Sequence, residues 1–318
     1  LRRPEWYDKF QVTIIDGMAV DRIDPMPHLI GLANGQSLNY DKLILATGAV
    51  PRTLPQVAGL KNVHVLRSPD DAAALRQAMQ TANTAVIIGG GYIGLEAASS
   101  FCKAGLNVHV VEAAERLLAR VASPDMSAFF NELHQRHGVM IHTGMTKTNF
   151  HQKDGLFTGI TLDTGKQISA ELLLVGIGVE PESVLADAIG AETGNGILVD
   201  RQMRTTIEDV YAIGDVALVD GAALRVESVH NAQDTAARAA ADITKTPLSD
   251  ISLPWFWSEQ YDVRLQSAGI VLAGKDDMHY AVRPGKREGG MSVWSYNNGR
   301  LVAVEAVHDP AAYMLGKK

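Results

Sequence analysis

Hydrophobic and polar positions alternate between short apolar runs and helical spacings along this chain. The run Ala85-Val-Ile-Ile88 is unbroken, passes through three glycines, and continues as Tyr92-Ile-Gly-Leu-Glu96. A short apolar run, a glycine turn and a helical opening predict strand, turn and helix in succession. A second apolar run, Asn107–Val111, ends at Glu112 and completes a βαβ unit over 85–112. Upstream, 11–15, 28–32, Ser37–Tyr40 and Leu43–Thr47 read as strands, with Asn34-Gly35 as a hairpin turn. Ser68-Pro69-Asp70 predicts a helix start, because serine caps, proline suits the first turn and the carboxylate favours the positive end. That helix runs to about Met79, and Ser123-Pro124-Asp125 repeats the signal for a helix to about His134.

Turns at Lys153-Asp154-Gly155 and Asp163-Thr164-Gly165 separate short alternating strands, and Leu172–Gly178 reads as a buried strand with a glycine-rich end. Ile197–Val199 and Val210–Ile213 are further strands, followed by an alanine-rich helix over Asp234–Ile243. Pro247 to Pro254 reads as a linker. Beyond it, short strands with turns at Lys275-Asp276, Pro284-Gly285 and Asn297-Asn298-Gly299 predict a small α+β or mostly β domain.

The length of 318 residues exceeds what one core usually organises, so two or three domains are expected. A net charge of −7 argues against a general nucleic-acid binder, whose footprint is basic. No apolar run approaches the roughly 20 residues of a membrane span. The opening Leu1-Arg-Arg-Pro4 does not read as a signal peptide. A cytoplasmic protein is expected. The single cysteine, Cys102, excludes an intrachain disulfide or redox dithiol and reads as a small buried hydrophobe. His134, His137, His142 and His151 lack metal-site spacing and read as surface or hairpin residues, so no metal is expected.

The chemistry concentrates at three places. Gly89, Gly91 and Gly94 form a G-x-G-x-x-G between strand and helix. The first glycine permits the tight turn, the second lets backbone approach a pyrophosphate, and the third lets helix and strand pack closely. The helix opening at Tyr92 and Ile93 offers N–H groups to the phosphates. Glu112, 18 residues past Gly94, stands near the spacing expected of the acid that binds a ribose 2′-hydroxyl. A carboxylate there predicts preference for NADH over NADPH, although Arg116 nearby is of the type that accommodates a 2′-phosphate. The second place is the strand ending in Ala46-Thr47-Gly48. The third is the strand ending in Gly214-Asp215, where a carboxylate can accept hydrogen bonds from a polyol.

Taken in order, Ala46-Thr-Gly48, the glycine fingerprint, Gly176-Ile-Gly178 and Tyr211-Ala-Ile-Gly-Asp215 resemble the two-dinucleotide-fold flavoprotein reductases. Arg225-Val-Glu-Ser-Val-His-Asn-Ala232 and Pro254-Trp-Phe-Trp-Ser-Glu-Gln-Tyr261 are similar to the oxygenase-coupled, FAD-dependent NADH–ferredoxin reductases, the putidaredoxin, rubredoxin and aromatic-ring dioxygenase type. The resemblance implies an α/β fold with two Rossmann-like dinucleotide-binding domains and a small C-terminal α+β domain. It assigns 1–67 and 191–248 to a discontinuous FAD domain, 68–190 to an NAD(H) domain, and 249–318 to the reductase C-terminus. It also implies that the FAD domain is incomplete at its N-terminal side, by roughly 60 residues or about two βαβ units, and that the family pattern continues past Lys318.

For FAD, the resemblance implies Val20, Ala46, Thr47, Gly48, Arg67, Gly214, Asp215, Val229 and Trp257. For NAD it implies Gly89, Gly91, Tyr92, Ile93, Gly94, Glu96, Glu112, Gly176, Gly178 and Glu227, with Glu96 and Glu227 near the nicotinamide half. Glu182 and Glu259 depart mildly from the family pattern. The implied reaction carries electrons from NADH through FAD to a 2Fe-2S ferredoxin or a rubredoxin, in a monomer or homodimer. No acid–base side chain is required. Arg264, Arg283, Lys286 and Arg287 are candidates for an acidic partner's docking face. Two other readings stand beside it. Disulfide or peroxide reductases of similar fold need a redox cysteine, and Cys102 is misplaced for one. A non-catalytic NAD-binding flavoprotein fragment, or an apoptosis-inducing-factor-like protein lacking bound FAD, fits the incomplete flavin half.

Overall fold

A computed structural model describes residues 2–222, 224–247, 253–271 and 276–318. The chain forms two compact units. The first comprises Leu1–Gly48, Pro181–Val226 and Thr235–Leu248, and the second Ala49–Glu180, Glu227–Asp234 and Ser249–Lys318. The chain passes from the first unit to the second after Gly48 and returns at Pro181. The two segments that lead into and out of the second unit, Ala49–Pro51 and Val179–Pro181, pair with each other. Val63–His64 then joins the second unit's own sheet.

In the first unit, Val20–Asp24, Leu29–Leu32 and Ser37–Asn39 form an antiparallel meander. Leu43–Leu45 pairs in parallel with Val210–Ala212. Gly196–Val199 lies between Thr193–Gly194 and Ala217–Val219. Leu45, Ile197, Val199, Met203, Val210 and Ala212 bury together, and Ala239 of the helix Val229–Thr244 seats in the same core. Asp242, near the end of that helix, binds the Arg204 guanidinium and accepts the Tyr211 hydroxyl at 2.8 Å. The expected strand at 11–15 does not form. The backbone closes onto the preceding helix instead, Val12 N–H donating to Tyr7 O at 2.9 Å, and Ile14 and Ile15 remain exposed.

The second unit is built on a parallel sheet in the order Val63–His64, Leu172–Val175, Thr84–Ile88, Asn107–Val111, Met140–His142. Its strands read as continuous apolar runs because both faces are covered. Ala85, Ile87, Val108, Val110, Leu172 and Leu174 meet the helices through Leu95, Phe101, Phe130 and Leu133. The alternate residues Val86, Val111, Leu173 and Val175 meet Phe157, Ile160, Leu162 and Ile168 of a three-stranded antiparallel sheet on the other side. Ser68 caps the helix Pro69–Ala78 in a reciprocal capping box with Asp71, and Ser123 caps Pro124–Arg136.

The C-terminal strands belong to the same unit. They form an antiparallel sheet in the order Trp255–Gln260, Val263–Gly269, Arg300–Val307, Met291–Asn297, Met278–Pro284. Asn298 and Gly299, both at positive φ, close one hairpin as their residue types require. The turn expected at Lys275-Asp276 and the linker at 247–254 lie partly outside the described residues. One face of the sheet, through Val263, Leu265, Val293 and Val307, joins the helical core. The other face lies under the helix Pro310–Gly316, where Trp294, Val304, Ala306 and Tyr313 pack together.

Glu305 sits fully buried on the core-facing side, and its two carboxylate oxygens accept Ser123 N–H at 3.1 and 3.3 Å. Burial pushes this carboxyl up to about 7, against the pull of Ser123 and Arg116. The folded protein therefore holds a proton that the unfolded chain releases near the ordinary glutamate value, and stability falls as pH rises from about 4.5 to about 7. Replacing Glu305 by Gln removes that loss. In urea titrations at pH 5 and pH 8, Glu305→Gln is expected to gain on wild type on the order of 2 kcal/mol between the two. An unchanged difference contradicts the assignment.

Candidate dinucleotide sites

Thr84–Ile88 delivers its glycine turn where the chain order of the parallel sheet reverses, between Leu172–Val175 on one side and Asn107–Val111 on the other. Ligands of open α/β sheets bind outside the carboxyl ends of strands at such a point. Each glycine has a distinct constraint. Gly89 has φ +111, and a Cβ there would collide with Gly176 O. A Cβ on Gly94 would collide with Gly89 O. A Cβ on Gly91 would meet nothing within 4 Å, so the turn is open where it faces outward. Gly91 is the N-cap of the helix Tyr92–Lys103 and supplies no side-chain cap. The first-turn N–H groups, those of Tyr92 and Ile93 among them, have no partner within a helix. An open cradle backed by uncapped N–H groups fits a pyrophosphate.

Glu112 follows the neighbouring strand and turns toward this loop. Gly90 N–H donates to its Oε2 at 2.6 Å and Ala114 N–H to its Oε1 at 2.8 Å, which fixes the carboxylate beside the cradle. Arg116 is committed elsewhere. Its Nη2 donates to Ala119 O and Ala122 O, both at 3.0 Å. Gly176 N–H donates to Ile88 O at 2.8 Å, and Gly178 has φ +100, so a second glycine turn flanks the first.

One stripe of the helix, Tyr92, Glu96, Ser99 and Lys103, has the spacing of a single face. All four residues meet the C-terminal edge strand or the residue after it. The Tyr92 ring lies 4.6 Å from Phe256, and Ser258 Oγ donates to Glu96 Oε1 at 2.5 Å. Tyr261 N–H donates to Ser99 Oγ at 2.7 Å, and Lys103 Nζ to Tyr261 O at 2.9 Å. Burial raises the Glu96 carboxyl, while Ser258 and the Glu259 N–H pull it back.

Trp257 points to the opposite face of the same strand, 5.6 Å from Trp255, whose ring stands 5.4 Å from His230 at the start of the helix Val229–Thr244. Val229 and Glu227 are exposed beside it. Arg67 is exposed ahead of the helix Pro69–Ala78, its N–H donating to Asp71 at 3.0 Å.

The remaining flavin candidates lie in the first unit. Leu43–Leu45 and Val210–Ala212 run in parallel, and Ile213 N–H donates to Leu45 O at 3.0 Å. Ala46-Thr47-Gly48 and Gly214-Asp215 therefore leave the carboxyl ends of two neighbouring strands side by side. Thr47 Oγ1 donates to Glu182 O at 2.6 Å, and Gly214 N–H to Thr235 Oγ1 at 2.9 Å. Gly48 and Gly214 both have positive φ, +74 and +70. Arg225 donates to the Asp215 carbonyl. A half-buried carboxylate at paired strand ends fits a ribityl chain. Val20 lies apart from these residues in sequence, exposed at a bulge of the meander.

Two sequence readings change. His134 is fully buried rather than at the surface, with Nε2 2.7 Å from Gln260 Oε1 and Nδ1 3.2 Å from the Tyr261 hydroxyl. His142 faces His109 across adjacent strands, Nε2 to Nδ1 at 3.1 Å, and burial lowers both. His137 stacks on Tyr261 at 3.7 Å, and His151 stays on an exposed hairpin. Cys102 is half-buried and donates to His137 O. The basic candidates spread out. Arg264 and Arg283 lie on strands separated by two others in the sheet, Arg264 paired with Glu259 and Arg283 over Trp294.

Comparison with known proteins gives a consistent picture. Residues 7–236 match the family model described as pyridine nucleotide-disulphide oxidoreductase, and 255–318 match the one described as reductase C-terminal. Rhodocoxin reductase from Rhodococcus erythropolis is 40% identical over 323 residues, covering 100% of this chain and 75% of that protein. The ferredoxin reductase for the CYP199A2 system from Rhodopseudomonas palustris superposes with a TM-score of 0.93 at 36% identity, covering 100% of this chain and 79% of that one. The reductase in the covalent putidaredoxin reductase–putidaredoxin complex superposes with a TM-score of 0.92 at 34% identity, covering 100% and 78%. Among the described residues no helix is long and apolar enough to cross a membrane.

The glycine turn separates binding from folding. Gly91→Ala is expected to keep the wild-type Tm, since its methyl enters open space, while weakening NADH about tenfold by filling the cradle. Gly94→Ala drives a methyl into Gly89 O and is expected to cost about 1–3 kcal/mol of stability. Thermal melts and NADH titrations of the two variants check this, and equal behaviour of the pair contradicts it.

Proposed function

Because the chain belongs to the pyridine nucleotide-disulphide oxidoreductase family, we propose that it carries electrons from NADH through FAD to a small iron–sulfur protein, a 2Fe-2S ferredoxin or a rubredoxin, that serves an oxygenase. The observation that carries the reading is the open glycine turn at the sheet's reversal point with Glu112 fixed beside it. Its relatives, named for rhodocoxin, for the CYP199A2 system and for putidaredoxin, support the acceptor class. When bound, the nicotinamide and the flavin supply the redox chemistry, a two-electron donor and a carrier able to release electrons singly.

The protein's share is to hold and orient them. Gly89, Gly91, Tyr92, Ile93 and Gly94 seat the pyrophosphate of NADH, Gly176 and Gly178 line the adjoining turn, and Glu112 takes the adenosine ribose. Glu96 and Glu227 serve the nicotinamide half. Ala46, Thr47, Gly48, Gly214 and Asp215 hold the flavin's ribityl side, with Val20, Arg67, Val229 and Trp257 as further contacts. In this division 1–67 and 191–248 serve FAD, 68–190 NADH and 249–318 the reductase terminus. Arg264, Arg283, Lys286 and Arg287 provide positive charge for an acidic partner. The protein works in the cytoplasm as a monomer or homodimer.

The fixed carboxylate of Glu112 repels a 2′-phosphate, and Arg116 is turned into its own loop. NADPH is therefore expected to bind at least about tenfold more weakly than NADH, and Glu112→Gln to narrow that ratio. Equal affinities in wild type contradict the preference. For the whole reading, the protein is mixed with FAD and titrated anaerobically with NADH, and a ferredoxin is then added. Bleaching of the flavin band followed by ferredoxin reduction is expected. NADH binding with an unreduced flavin would overturn the proposal.

A further inference from the structure

Behind Glu96 lies a row of buried polar side chains that the electron-transfer reading does not use. Gln260 is fully buried, Ser258 and His134 nearly or fully so, and Tyr261 is half-buried. Their contacts run in one direction. The Tyr261 hydroxyl meets His134 Nδ1 at 3.2 Å, His134 Nε2 meets Gln260 Oε1 at 2.7 Å, Gln260 Nε2 donates to Ser258 Oγ at 3.1 Å, and Ser258 Oγ donates to Glu96 Oε1 at 2.5 Å.

Each link fixes the next. Burial and the neighbouring Cys102 keep the Tyr261 hydroxyl protonated, so it has a proton to give to His134 Nδ1. Burial lowers His134, so the ring is neutral and has one N–H to give. With Nδ1 accepting from tyrosine, that N–H lies on Nε2 and donates to Gln260 Oε1. The amide is thereby turned with its NH2 toward Ser258. The serine oxygen accepts from it, and the serine proton is left for Glu96.

We propose that Ser258, Gln260, His134 and Tyr261 are positioning residues that keep Glu96 an ionised, oriented acceptor for the carboxamide of the nicotinamide half of NADH. This rests on the reading of Glu96 as a nicotinamide-side group. The physical need is plain in the opposing effects on Glu96. Burial favours its neutral form, and a protonated carboxyl would offer a donor where an acceptor is wanted. A hydrogen bond from Ser258 to the charged form counters the burial. Stability alone does not account for the row, since packed apolar side chains of similar volume hold a core as well as buried polar ones. The titratable groups facing Glu96 are Glu259 from the edge strand and Tyr92 from its own helix, and His137 faces His134.

The test is the pH dependence of NADH affinity, measured by calorimetry on the 318-residue protein and needing no turnover. Wild type is expected to lose affinity as pH falls and Glu96 takes up a proton, whereas Glu96→Gln gives a flat profile. Ser258→Ala is expected to move the midpoint upward by about one pH unit, and Ser258→Thr, which keeps the hydroxyl, to restore it. Tyr261→Phe frees the histidine to change tautomer, and is expected to shift the midpoint the same way by less. That variant loses only one hydroxyl from a half-buried ring, so it carries the test if Ser258→Ala does not fold. A flat profile in Glu96→Gln with unshifted midpoints in Ser258→Ala and Tyr261→Phe overturns the positioning role and leaves the Glu96 reading standing. Wild-type affinity and profile in Glu96→Gln defeat that reading and the proposal with it.

Discussion

The contact between Gly94 and the Gly89 carbonyl is the constraint on which the second unit rests. It lets the helix Tyr92–Lys103 lie against its strand with no side chain between them. Gly89 in turn presses on Gly176 O, so two glycine turns and a helix start converge at one place. The closeness has two effects. At the N-terminal end it presents uncapped N–H groups beside the turn. Further along, it aligns the stripe from Tyr92 to Lys103 with the C-terminal edge strand. A helix held off by one methyl would disturb both, so the open glycine turn and the seating of the C-terminal sheet share a geometric cause.

Much of this was legible in the sequence because the signals are local. The G-x-G-x-x-G needs only its own flanks to declare a turn between strand and helix, and the Ser-Pro-Asp starts at 68 and 123 became capped helices. Asn298-Gly299 carries its hairpin in two residues. Failures occurred where distant partners decide. Residues 11–15 have strand composition, but a strand exists only through a neighbour's hydrogen bonds, and these residues turned back onto their own helix. His134 sits on a helix of mixed composition, and nothing nearby in sequence marks its partners, which lie more than a hundred positions away. Glu305 was invisible for the same reason: its hydrogen-bond donor, Ser123, stands at the start of a helix far upstream.

The candidate site follows the same division. The glycine turn proposed to seat the pyrophosphate is contiguous in sequence, and its strand–turn–helix form was readable there. The environment of Glu96 is assembled from a helix, a strand and a second helix, and Ser258 and Gln260 carried no motif of their own. A clue was present in hindsight. Phe256, Ser258 and Gln260 alternate with Trp255, Trp257 and Glu259, which in an edge strand implies two faces with different duties.

That alternation makes the edge strand a reading frame. Its even-numbered residues address the helix that carries Glu96, and its odd-numbered residues carry the tryptophans beside the start of the helix at Val229. A single-residue insertion or deletion within Trp255–Gln260 would exchange the two sets, bringing indoles against Glu96 and a serine to the aromatic side. Diversification of this protein by insertion therefore has no room in these six positions.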